Sequence, residues 1–123
     1  MLKTQRFALT VLLASAPAWA DCTAPEQPEL PDGANASLEE MLAGQKAVKA
    51  FQAENKDYRK CVEARIEAAR NAGEAAETKE AAAVAEETYS AAVESYNAAV
   101  AAEEQVAGDF NLQLREYKAA TQD

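Results

Sequence analysis

The sequence predicts an all-α protein. We expect a long antiparallel two-helix, coiled-coil-like hairpin, with an extended proline-rich N-terminal arm tied to it by a disulfide. Three observations lead there. The last proline is Pro31, so nothing after Ser37 forces a helix to break. From Ser37 onward alanine is the commonest residue, and Glu, Lys, Arg, Gln and Leu, all strong helix formers, supply much of the rest. The two cysteines, Cys22 and Cys61, fall one in the proline-rich stretch and one in the helical stretch.

Residues 1–20 read as a secretory signal. Lys3 and Arg6 supply a positive start, Phe7 to Ala14 a short apolar run, and Pro17 breaks it before the small-x-small site Ala18-Trp19-Ala20. Cleavage is expected between Ala20 and Asp21. The apolar run is about half of the ~20 residues a membrane span needs, so no membrane insertion is expected after cleavage. The destination implied is outside the cytoplasm, by export. Twelve Lys/Arg against 21 Asp/Glu give a net charge of −9, and losing Lys3 and Arg6 takes it to −11. Such a chain is repelled by phosphate backbones and anionic lipid surfaces, which disfavours nucleic acid and membrane-surface partners and leaves a protein partner, a basic one included.

Residues 21–36 hold Pro25, Pro28, Pro31 and Gly33 with no periodic apolar pattern. They predict a polyproline-like arm ending in a turn at "PDG". The next segment, 37–123, should be the hairpin. Ser37 and Glu40 in "SLEE" form a capping box that starts a first helix over about 37–72. In "RNAGE", Gly73 is expected as a left-handed C-cap, with Glu74 and Glu77 opening a second helix over about 75–119.

Heptad spacing then assigns the facing sides. On the second helix "YSAAVES" and "YNAAVAA" are near-copies of one heptad, and their spacing selects Tyr89, Val93, Tyr96, Val100, Glu103, Ala107, Phe110, Leu114 and Tyr117. On the first it selects Met41, Gly44, Val48, Phe51, Asn55, Tyr58, Val62 and then Ile66 or Ala69. Asn55 is a lone polar residue of the kind that fixes register. Folding back at Gly73 would bring Phe51 and Tyr58 near Tyr96 and Tyr89. Glu103, charged on an apolar seam, is expected to pack against Gly44, to pair with Lys46, or to mark an opening. A second stripe of small residues, Ala92, Ala99, Ala102 and Val106, would suit a second copy of the chain, hence a homodimer.

Charge favours the same pairing. Residues 46–70 carry seven Lys/Arg against four Asp/Glu, whereas 71–114 carry nine Asp/Glu and one Lys.

The arm has the reach to close a disulfide. Ser37 to Cys61 spans ~36 Å of helix, and Cys22 to Ser37 spans ~46 Å of polyproline-like chain. An even cysteine count in a short exported chain favours a structural Cys22–Cys61 bond over an intermolecular or redox-active one. Lipid attachment to Cys22 is disfavoured by Asp21 and Trp19 just before it.

Little points to chemistry. The chain has no histidine, no CxxC, no glycine-rich phosphate loop and no calcium-loop pattern. Carboxylate pairs such as Glu39/Glu40, Glu86/Glu87 and Glu103/Glu104 are adjacent on helices and diverge. No catalytic residue, metal ligand or cofactor is expected.

The run "CTAPEQPELPDGANASLEEM", the "YRKC" at Tyr58–Cys61 and the ending "FNLQLREYK" resemble a group of small periplasmic proteins of Gram-negative bacteria. The resemblance spans nearly the whole chain after the leader and implies an envelope location and a Cys-bonded helical hairpin. It implies no activity. The expected role is therefore a non-enzymatic structural or interaction module, the alternative being a small holdase-like chaperone.

Overall fold

The computed structural model describes residues 22–122; the expected leader and the Ala20/Asp21 cleavage point lie outside them. Two helices, α1 (Leu38–Ala75) and α2 (Lys79–Thr121), pack side by side as an antiparallel hairpin. The capping box is formed. Ser37 Oγ accepts the Glu40 N–H at 3.2 Å, and the Glu40 carboxylate accepts the Ser37 N–H at 2.7 Å.

The fold-back lies beyond the expected glycine. α1 runs straight through Gly73 and ends at Ala75, capped by Ala76 in extended backbone, and no described glycine has a positive φ. A helical glycine costs only about 1 kcal/mol relative to alanine, which good helix formers on both sides offset. The second helix starts where a cap exists: Thr78 Oγ1 accepts the Ala81 N–H at 3.1 Å. The fold-back point thus moves from residue 73 to about residue 77, and each partner position moves by twice that shift. Phe51 accordingly packs with Val106 and Phe110, not with Tyr96.

The side of α1 turned inward is the predicted one. Met41, Gly44, Val48, Phe51, Asn55, Val62 and Ala69 are buried, while Tyr58 and Ile66 are half-buried. On α2 the buried line is Ala85, Ala92, Ala99, Val106 and Phe110. Tyr89, Val93, Tyr96, Val100, Glu103, Ala107, Leu114 and Tyr117 flank it half-buried. The small stripe expected to receive a second copy is largely consumed inside the hairpin. Alanine at the contact line lets two helix backbones approach closely, with the half-buried tyrosines Tyr89, Tyr96 and Tyr117 beside it.

Asn55 is 2% exposed, and its Nδ2 donates to the Ala99 carbonyl at 2.9 Å. One register satisfies that donor; a slip by a turn buries it unpaired, at about 1–3 kcal/mol. Asn55→Leu is expected to keep full helicity by circular dichroism but to split amide resonances of the facing heptads in NMR spectra. A single, unshifted set would show that register is held elsewhere.

The arm is the third layer. Cys22, Pro25, Pro28 and Pro31 are half-buried, while Thr23, Ala24, Glu26, Gln27 and Glu29 are exposed. Inward positions at every third residue are what a three-residue-per-turn polyproline helix presents. Leu30 and Ala36 pack on the core cluster of Met41, Val48, Phe51, Val106 and Phe110. The "PDG" turn follows: Asn35 N–H donates to the Asp32 carbonyl at 3.0 Å, and the Asp32 carboxylate accepts from Ala34 N–H and Asn35 Nδ2. Gly33, buried, donates its N–H to Gln113 Oε1 at 2.8 Å. At its other end the arm is fixed by the Cys22–Cys61 disulfide, with Cα atoms 5.7 Å apart.

Candidate functional site

No cluster of three or more His, Cys, Asp or Glu residues able to hold a metal occurs among the described residues, and none of their helices is long and apolar enough to cross a membrane. The surface instead carries a groove between the helices. Its α1 wall follows Tyr58, Cys61, Arg65, Ala68 and Ala72, and its α2 wall Ala81, Val84, Thr88, Ala91, Ser95, Ala98 and Ala102. Every step along both walls is three or four residues, the spacing that keeps side chains on one helix face.

The arm occupies one half of this groove. Ala24, Pro25 and Gln27 lie over Tyr58, Ser95, Ala98 and Ala102 and leave only a narrow space of about 240 Å³. Among the described residues the covering ends at Cys22, which is bonded to Cys61. Past that point lies an open groove of about 530 Å³ whose walls are Ala68, Ala72, Ala81 and Val84, with Arg65 and Thr88 at the arm side and Glu80 at the rim. Val84 stands 64% exposed in it. A smaller hollow bordered by Arg65, Glu87, Thr88 and Ala91 continues toward the arm.

Packing beneath the two halves differs in the same sense. The arm half contains the large buried side chains Met41, Phe51 and Phe110. The turn half buries Val62, Ala69, Ala85 and Ala92 and nothing bulkier. Its opposite side is edged by Arg70, whose guanidinium lies 5.9 Å from the Tyr89 ring centroid, within cation–π range.

Glu103 neither packs on Gly44 nor pairs with Lys46. It accepts from Arg59 at 3.1 Å, while Gly44 is met by Pro31 and Phe110. Both charged side chains are about a quarter exposed, 25% and 27%. The ion pair crosses from α1 to α2 in the direction that the charge bias suggests. Glu103→Gln is expected to cost less than about 1 kcal/mol, read by urea unfolding; a loss several times larger would make this pair a main support of the hairpin.

Of the residues selected from sequence, Cys22 and Cys61 are joined. Met41, Val48, Phe51, Val62 and Phe110 are buried, and Tyr58, Tyr89, Val93, Tyr96, Val100, Leu114 and Tyr117 border the contact. The open groove was missed. The signal for it was present: Glu80, Glu87 and Glu94 repeat at seven residues beside the Ala81–Val84–Thr88–Ala91–Ser95 line, and all three are exposed. Comparison of the chain with protein-family models, with curated proteins and with solved structures found no match.

Proposed function

We propose that this chain is a non-enzymatic, exported interaction module of the cell envelope, working in the periplasm by presenting a stapled helical hairpin to protein partners. The half-covered groove carries this reading, because the chain shields one half with its own arm and leaves the other half open. The Cys22–Cys61 bond supports an oxidising destination, and the leader pattern of residues 1–20 together with the resemblance to periplasmic proteins supports this one. Narrow walls of alanine suit a defined helix or strand better than the varied side chains of an unfolded client, which favours a partner-specific role over a holdase.

Proximity labelling from the exported chain in a Gram-negative envelope tests the reading. Strong enrichment of one defined envelope protein is expected. Stoichiometric suppression of aggregation of an unfolded client, with no such enrichment, would replace it by the chaperone reading.

A further inference from the structure

Resting on the interaction-module reading, we propose that the open, turn-side half of the groove is a docking site for one amphipathic helix of a partner protein, bearing small apolar residues on one face and Lys/Arg at seven-residue intervals along one edge.

Shape gives the helix. The walls present Arg65, Ala68 and Ala72 on α1 and Ala81, Val84 and Thr88 on α2, at three- and four-residue steps. Such steps offer holes into which the knobs of a third helix fit. Alanine on both sides permits a close approach, and Val84, exposed at 64%, supplies the apolar ridge. From Ala81 to Ala91, short of the arm-covered Ser95, the α2 wall is ~15 Å long, which accommodates about three turns. The described arm does not obstruct such a helix, since its first described residue, Cys22, is bonded to Cys61 at the arm-side end of the open half.

Charge gives the edge. Glu80, Glu87 and Glu94 stand exposed at heptad intervals along the α2 rim, where flanking charges of coiled coils choose partner and orientation. Over residues 65–95 the chain holds seven Asp/Glu (Glu67, Glu74, Glu77, Glu80, Glu86, Glu87, Glu94) against Arg65, Arg70 and Lys79. Two such surfaces repel each other, so a basic partner helix is favoured over a second copy of this chain.

The test uses the exported chain, residues 21–123, and a synthetic 21-residue helix with an Ala/Leu face and lysines at heptad spacing. Its isomer with glutamate in place of lysine is the control. Saturable 1:1 binding of the lysine peptide by fluorescence anisotropy is expected, with no binding of the glutamate peptide. Val84→Glu, and separately the triple change Glu80→Lys, Glu87→Lys, Glu94→Lys, should each weaken it about tenfold or more. Leu112→Glu, a distant exposed position (43%), should leave it unchanged. All altered positions are exposed, and circular dichroism verifies that each variant is folded.

Binding that Val84→Glu leaves intact, or no binding at all, overturns the proposal. So does a concentration-dependent dimer in sedimentation that Val84→Glu abolishes, which would assign the groove to a second copy. Repeating the envelope labelling with Val84→Glu separates this proposal from the reading beneath it. A defined partner retained by the variant removes the groove assignment and keeps the module; absence of any defined partner with the unaltered chain removes the module itself.

Discussion

Replacing Cys22 and Cys61 together by serine is expected to lower unfolding stability by about 4 kcal/mol, the loop-entropy value for cross-linked residues 39 apart. For a chain of this size that is a fall in midpoint temperature on the order of 15–25 °C. The loss should not be uniform. The turn half receives no cover from the arm, so its amides should exchange as before. Amides around Val48 to Tyr58, beneath the arm, should lose protection by hydrogen exchange. Reducing the native protein with a dithiol should reproduce both changes. A loss under about 1 kcal/mol would mean that the arm stays seated through its prolines, Leu30 and Gly33 alone.

Gly33→Ala comes next, at about 3 kcal/mol. A methyl group on Gly33 would overlap the Gln113 carbonyl oxygen and stand 2.7 Å from the Gln113 carbonyl carbon and 3.0 Å from the Tyr117 nitrogen. These are backbone atoms inside α2, so no rotamer change relieves the clash. The turn must lift away, losing the Gly33–Gln113 hydrogen bond and drawing Leu30 and Ala36 off the core. Gly108→Ala provides the opposite sign within the same molecule. Nothing lies within 4 Å of its added methyl, and it sits on an exposed helical turn. That change should stabilise by about 0.5–1 kcal/mol. Urea unfolding of the two variants side by side measures both; equal effects would show that the contact at Gly33 yields.

How much of this was legible depends on what each feature rests on. The start of α1 was readable because "SLEE" is a local hydrogen-bonding device, and the α1 inner face because its apolar residues are also its inner ones. The disulfide was readable from compartment chemistry and reach. The fold-back was misplaced because a lone glycine weakens a helix without ending it, whereas Thr78 at a position able to cap begins one. The α2 face was rotated by about a third of a turn or less for a related reason. Periodicity weighted toward large side chains found Tyr89, Val93 and Tyr96, but helix approach distance is set by the small residues Ala85, Ala92 and Ala99. Only the reach of the arm to Cys61 followed from chain length. The open half did not, since alanines beside glutamates read as an ordinary solvated face until both helices are placed.

The buried line on α2 repeats at intervals of seven, from Ala85 through Ala92 and Ala99 to Val106, before reaching Phe110. The disulfide, Asn55 on Ala99, Pro31 on Gly44 and Gly33 on Gln113 all lie on the arm side of the turn half. Growth and shrinkage therefore have a natural unit. Seven residues added to α1 and seven to α2 beside the turn lengthen the molecule by ~10 Å and return every anchored contact to its place. An addition of two, five or six residues instead turns an inner face away by about a third of a turn or more. The free end of the hairpin is an adjustable ruler, and the stapled end is its fixed zero.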